Sequence, residues 1–239
     1  MLDLIKGRYT SRMAADLRDI AACQRLRSLA FGAVAADPFD ARCDHVMVED
    51  NLGALVCAFR ILPVRAGDAI PGSYSAQYYD LTGLTGFPGP MVEMGRFCVD
   101  PAVCDADVLR VAWGAMTRYV DARGVRLLFG CASFRGTDAR VYLDAFALLR
   151  DRHLAPVRWR PGIKAPEVFD FATGLGGQAD AKRALRVMPP LLRTYLMMGG
   201  WVSDHAVIDR DMGTLHVFTG VEVAAIPPAR ARLLRALAG

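Results

Sequence analysis

Lysine is scarce in this chain. Only Lys6, Lys164 and Lys182 occur, so nearly all the positive charge is arginine. The arginine fork pairs with carboxylates and phosphates in a two-pronged fashion that lysine does not match. No charge-free run of about 18 apolar residues is present, which excludes a spanning helix. The opening MLDLIKGRYTSRM has no apolar signal core followed by a small-residue cleavage site, so an intracellular protein is expected. There is no CxxC. Cys23, Cys43, Cys57, Cys98, Cys104 and Cys131 stand singly, several in apolar runs, as reduced buried thiols do. His45, His153, His205 and His216 show neither HxxxH nor HExxH spacing, and no metal site is expected. Internal repeats and low-complexity tracts are also missing.

What is there is an ordinary globular composition: 239 residues, 53% hydrophobic and 23% charged. This excludes a disordered chain, a collagen and a small disulfide scaffold. The length suits one domain over 1–239 with a full core. Net charge is 29 − 25 = +4, basic but far below histone-like density, and no nucleic-acid partner is expected.

Residues 16–31 carry apolar positions at helical spacing (Leu17, Ile20, Ala21, Leu26, Leu29, Ala30). Apolar runs 45–50 and 54–62, joined by Asp50-Asn51-Leu52-Gly53, read as a β-hairpin. Segment 63–90, rich in Gly, Pro, Ser and Tyr, reads as a long functional loop. A strand is expected over 91–99, then a helix over 107–123 capped by Asp105 or Asp107 and ended by Gly124. A continuous apolar strand follows at 125–134, then a helix at about 138–152. The tail predicts a strand near 167–172, a helix opened by Pro189-Pro190 and an extended stretch at 206–224. This alternation implies an α/β fold, a mixed sheet with helices on both faces. Strand 91–99, helix 107–123 and strand 125–134 would form a right-handed parallel crossover.

Polar residues interrupt core-like segments in three blocks. FDARCDH (39–45), preceded by LRSLAF (26–31), offers Arg27, Asp40, Asp44 and His45, either as a solvated loop or as a site. VEMGRFCVDP (92–101) places Glu93 inside an apolar strand. Strict alternation puts Glu93, Gly95 and Phe97 on one face and Arg96 on the other, while a bulge at Gly95 would splay the strand and turn Arg96 toward Glu93. A structural Glu93–Arg96 or Glu93–Arg60 ion pair fits the spacing as well as catalysis does. GCASFRGTD (130–138) ends the central strand, where open α/β sheets bind ligands. Cys131 reads as a core thiol rather than a nucleophile, and Ser133 as either a backbone cap or a ligand donor.

LRSLAF, FDARCDH, FRILP (59–63) and VEMGRFCVDP, in this order, resemble the GNAT-fold acyltransferases that draw acyl chains from acyl carrier protein. Two branches share the pattern, the acyl-homoserine-lactone (autoinducer) synthases and the ornithine N-acyltransferases of bacterial aminolipid synthesis. The second is matched further, by YSAQYYDL (74–81), Cys43-Asp44-His45, Gly95-Arg96 with Cys98-Val99, GCASFRGTD, and PPLLRTYLMMGGWVSDHAVID (189–209). The likeness runs from about residue 8 to 220, with Arg193 where that branch usually carries Lys. The autoinducer branch usually has a Trp between the first helix and the acidic block, and residues 28–45 contain none. The resemblance implies a GNAT-like, mostly antiparallel sheet with central splayed parallel strands. It implies transfer of a 3-hydroxy fatty acyl group to the α-amine of an amino acid, ornithine first among the candidates, giving a lyso-aminolipid. An autoinducer synthase and a non-catalytic carrier-protein or lipid-binding module are the alternatives.

For that reaction Glu93, a carboxylate held in an apolar strand, is the candidate base, directly or through one water. Backbone N–H groups near Arg96–Cys98 would hold the oxyanion. Arg96, Arg60 and Arg27 are candidates for the acceptor's carboxylate, and Asp40 and Asp44 for a cationic side chain or for fixing those arginines. The expected substrate-binding set is Arg27, Asp40, Asp44, His45, Arg60, Phe97, Cys98, Ser133 and Phe134, with Glu93 and Arg96 catalytic. Acetyl-CoA-dependent GNAT enzymes hold pyrophosphate on a Gly-rich loop, whereas DPAVCDADVL (100–109) has no Gly and carries Asp105 and Asp107 there. A carrier-borne acyl-phosphopantetheine is therefore the expected donor, with no bound cofactor, and a basic enzyme suits an acidic carrier protein. In 182–239, basic residues alternate with Leu and Met, a pattern that serves either core packing or contact with an anionic inner-membrane surface.

Overall fold

The computed structural model describes residues 3–32 and 36–239. The chain runs β1 (Leu4–Lys6), β2 (Tyr9–Met13), α1 (Leu17–Phe31), β3 (Asp44–Asp50), β4 (Leu55–Val64), β5 (Tyr79–Asp80) and β6 (Met91–Val99). There follow α2 (Ala106–Arg123), β7 (Leu127–Arg135), α3 (Leu143–Arg152), β8 (Gly162–Ile163), β9 (Val168–Asp170) and α4 (Phe171–Gly174). The last elements are α5 (Ala181–Val187), α6 (Pro190–Met197), β10 (Trp201–Val202), β11 (His205–Asp209), β12 (Thr214–Glu222) and α7 (Pro228–Ala238). The fold is mixed α/β with mostly antiparallel strands. The segments sort into two compact units. One is drawn from the described part of Met1–Pro63 with Val92–Val125 and Pro228–Gly239, the other from Val64–Met91 and Arg126–Pro227.

In the first unit the strand order is β1-β2-β3-β4-β6. The β3–β4 register pairs His45 with Arg60 and Met47 with Ala58, which puts these four side chains on one face. Asp44, Ile61, Val46 and Phe59 take the other. Helix α1 covers the first face, where Cys23 and Leu26 meet Met47, Ala58 and Cys98. It starts where the Asp16 carboxylate accepts the Arg18 and Asp19 N–H groups and stops at Gly32. Helix α2 belongs to the second face, from which Tyr119 donates to Asp44 (2.7 Å). Asp105 caps α2 and left-handed Gly124 closes it, so the capping choice left open between Asp105 and Asp107 falls to Asp105. Helix α7 lies so near α2 that a Cβ on Gly114 would come 2.8 Å from the Leu237 carbonyl.

In the second unit the order is β7-β12-β11-β9, with β10 also on β12. One face presents Ala132, Phe134, Leu215 and Val217 to Phe146 and Leu149 of α3 and to Ala184 and Leu192 of α5 and α6. The other face, with Leu127, Phe129, Val207 and Phe218, is covered by Ile70, Tyr79 and Leu84. The stretch expected as a loop over 63–90 is thus a structured cover, built of 3₁₀ turns at 67–72, 75–77 and 82–86 and pinned by β5 to β8. The helix expected over 138–152 begins as a 3₁₀ turn, because the Asp138 carboxylate takes the Arg140 N–H, and becomes α3 only at Leu143. The extended stretch 206–224 is two strands, turned at Gly213 (φ +61°).

Candidate active site

The α1 side of the first unit's sheet carries an alternating chain of charges. Arg27 of α1 donates from both terminal nitrogens to Asp40 (3.0 and 2.9 Å). Asp40 also accepts from Arg60 of β4 (2.8 Å) and from Gln24 (3.0 Å). Arg60 goes on to Asp37, and Asp37 accepts Nε and Nη2 of Arg96 on β6 (3.1 and 2.9 Å). His45 Nε2 reaches the Asp40 carbonyl (3.0 Å), and Phe39 lies under the Arg60 guanidinium at 5.6 Å. Burial by itself would raise the Asp40 carboxyl. The hydrogen bonds from Arg27, Gln24 and Arg60 overcome it and hold the group well below the usual carboxylate range. Asp37 is lowered in the same way, its burial outweighed by Arg60 and Arg96. Three guanidiniums face two carboxylates, an excess of one positive charge. The Arg27 and Arg60 side chains are 2% and 4% exposed and that of Arg96 12%, so Arg96 is the arm of the chain nearest solvent.

Strand β6 supplies the irregularity. Arg96 has φ +54°, and it is the one non-glycine residue with positive φ among the described residues. That conformation costs about 1–2 kcal/mol and is held here by charge-assisted bonds to Asp37. A Cβ on Gly95 would sit 3.7 Å from Arg60 Nε, so Gly95 and Arg96 turn toward the same network in succession. The bulge expected at Gly95 therefore centres on Arg96, and strict alternation fails there, returning Cys98 to the α1 face. Upstream, alternation holds and places Glu93 on the face of Gly95. Glu93 is 4% exposed, and its carboxylate helps raise the Cys43 thiol, which burial pushes up to about 12.

The structure brings together Arg27, Asp40, His45, Arg60 and Arg96, with Glu93 on the same face, and leaves the other expected residues elsewhere. Asp44 is on the opposite face, bonded to Tyr119 (2.7 Å) and Arg123 (3.3 Å), because its register partner is Ile61. Phe97 also turns that way and stacks on Phe59 (5.4 Å between centroids). Cys98 donates to the Ala58 carbonyl within the α1 core, and burial pushes its thiol up to about 11. In the second unit Ser133 is exposed, while Phe134 turns to the helical face and packs edge-on to Tyr142 and Phe146. The side chains of Cys98 and Phe134 are thus packed in the core. Asp37 was not foreseen. Its signal was an acidic residue before Pro38, three residues ahead of Asp40, a turn pattern in which the Asp37 carboxylate accepts the Phe39 N–H (2.9 Å).

A second polar cluster, also unforeseen, is buried in the second unit. Tyr79 donates its one phenolic proton to the His216 carbonyl (2.8 Å), so His216 Nδ1–H donates back to the phenol oxygen (3.0 Å). Burial lowers the His216 imidazole to about 4. Its folded value is depressed, so its contribution to stability is complete above about pH 6.5 and falls as pH drops toward 4. Urea titrations should show the wild type losing about 2 kcal/mol between pH 6.5 and 5 from this group, and H216Q losing correspondingly less. Equal acid sensitivity in the two would refute the assignment.

Residues 20–114 match the family model described as an acetyltransferase (GNAT) domain. By fold alone, the chain is similar to an N-acyl amino acid synthase from uncultured soil microbes (TM-score 0.53, 11% identity, 98% of each chain covered). It is also similar to the loading GNATL domain of CurA from Lyngbya majuscula (TM-score 0.52, 12% identity, 91% of this chain and 99% of that one). The GNAT domain together with curated relatives that are acyltransferases makes this chain an acyltransferase. It is 33% identical over 238 residues to the L-ornithine N(alpha)-acyltransferase of Rhodobacter capsulatus, covering 91% of each chain. It is 28% identical to the enzyme of the same name from Agrobacterium fabrum, covering 92% of this chain and 83% of that one. The chain belongs to the L-ornithine N(alpha)-acyltransferase family.

Proposed function

We propose that the chain transfers a 3-hydroxy fatty acyl group from acyl carrier protein to the α-amine of ornithine. The observation that carries this reading is Glu93, buried on a bulged strand, on the face where Arg27, Asp40, Arg60, Asp37 and Arg96 form one connected charge chain. Glu93 takes a proton from the acceptor's ammonium group, directly or through one water. The amine then attacks the thioester carbonyl. A C–N bond forms, the C–S bond breaks, and the departing thiolate takes up a proton. Arg96, the most exposed of the three arginines, binds the acceptor's carboxylate, while Arg27 and Arg60 hold the loop and strand that position it. Backbone N–H groups of the bulged segment Arg96–Cys98 receive the oxyanion.

The N-terminus of α2 favours a carrier-borne donor over coenzyme A. The Asp105 carboxylate already occupies it, accepting the Asp107 N–H (2.9 Å), the Tyr9 hydroxyl (2.9 Å) and Arg8 (2.8 Å). A second carboxylate, Asp107, follows in the first turn. A pyrophosphate at that end would meet like charge. The acylated product partitions into a bilayer, which gives contact between the C-terminal segment and an anionic inner-membrane surface a use in release. No helix among the described residues is long and apolar enough to cross a membrane.

The test is incubation of the purified chain with 3-hydroxyacyl carrier protein and L-ornithine. The expected result is one α-amide detected by mass spectrometry per carrier thiol released. Lactone from S-adenosylmethionine, or thiol release with no ornithine amide, would overturn the reading.

A further inference from the structure

Helices α5 and α6 follow one another in the second unit with only Met188 and Pro189 between them. Their inner positions, Ala184, Met188, Leu192 and Tyr195, are buried. Their outer positions repeat at helical spacing: Lys182, Leu185 and Arg186 on α5, then Pro190, Arg193 and Met197 on α6, all exposed. Leu185 is 50% and Met197 56% exposed on this face. No carboxylate occurs between Asp180 and Asp204, a stretch that holds Lys182, Arg183, Arg186 and Arg193. The basic tail helix α7, in the first unit, also exposes Leu233 beside Arg232, but there Arg235 pairs with Asp121, whereas the stretch between Asp180 and Asp204 carries no carboxylate.

We infer that the outer face of α5 and α6 docks on an anionic lipid surface. Cationic side chains with long stems meet phosphate headgroups while Leu185 and Met197 enter the headgroup–acyl boundary. Charge complementarity alone would also suit an acidic protein. Two exposed apolar side chains set between the cations favour a surface that is anionic outside and apolar beneath, which a bilayer provides. This narrows the membrane contact proposed above to one face and holds whatever amino acid is accepted.

The experiment is sedimentation of the full chain with vesicles of phosphatidylcholine alone and with 30% phosphatidylglycerol. The expected result is at least tenfold stronger partitioning on the anionic vesicles, largely lost in 0.5 M NaCl. K182E/R186E/R193E should lower it at least tenfold, and L185S/M197S should lower it while leaving its salt dependence in place. Both variants should keep wild-type melting and wild-type acyl transfer from soluble acyl carrier protein. Vesicle binding is read without turnover, so its failure is separate from failure of the catalytic assay. Equal binding to both vesicle types, or no binding at low salt, would overturn the inference. Loss of carrier-protein-dependent KM in the charge-reversed variant, with vesicle binding unchanged, would overturn it in favour of a protein partner.

Discussion

Glu93→Gln should lower turnover by about 10²–10⁴-fold, the range for loss of a positioned general base, and leave the protein folded. Gln matches Glu in volume, so the 4%-exposed position on β6 is neither emptied nor overfilled. What the variant loses is a proton acceptor on the face of the Arg27–Asp40–Arg60–Asp37–Arg96 chain. The loss falls on kcat, because the proton is removed on the way to the transition state. The KM for ornithine, which the proposed reading assigns to carboxylate binding at Arg96, should move little. A pH series separates this role from a structural one. As pH rises past the α-amine's own value near about 8, solution supplies free amine and the deficit of the variant shrinks. A deficit that stays constant from pH 7 to 9.5, or wild-type turnover at any pH, would remove Glu93 from the chemistry.

The residues legible in the sequence were those whose signal is local. The α2 periodicity, the Asp105 cap, Gly124 and the β3–β4 hairpin all rest on side chains within a few positions of one another, whereas the face expected on α1 fails at Leu17 and Leu29, which are exposed while Cys23 and Arg27 are buried. The β1–β2 hairpin escaped notice because its strands, Leu4–Lys6 and Tyr9–Met13, are too short for a period, and only Gly7 (φ +60°) marks the turn. The arginines and Asp40 of the site were legible, but their pairing was not. Whether Asp40 or Asp44 meets Arg27 depends on the β3–β4 register, and a one-residue difference sends Asp44 to the α2 face. The turn at Asp37 leaves a local signal, but its pairing with Arg96 and the Tyr79–His216 pair emerge only in three dimensions, across separations of 59 and 137 residues. The bulge was placed one residue early because glycine marks where such a conformation is easiest. Here an arginine takes it instead, held by the carboxylate opposite.

Removing the Asp40 carboxylate should cost more stability than any other single change in the site. Asp40→Ala strips one buried partner from both Arg27 and Arg60, whose side chains are 2% and 4% exposed. Breaking a buried pair in this way costs about 3–5 kcal/mol, because the guanidinium left behind is desolvated without compensation. Thermal unfolding should drop by roughly 10 °C for a chain of this size. The same carboxylate makes the wild type acid-sensitive. Its folded value is depressed, so its stabilisation is present above the unfolded carboxylate range and is lost progressively as pH falls below that range toward the lower folded value, and D40A should show a flatter acid limb. A compensating variant separates stability from function. Arg27→Met with Asp40→Leu replaces the pair by apolar groups of similar size, while Arg60 keeps Asp37. That combination should regain most of the lost stability, as apolar replacements of buried ion pairs do. Acyl transfer should stay impaired, because Arg60 and through it Arg96 lose the anchor that fixes them. Full activity in the stable double variant would mean that the charge chain serves folding alone.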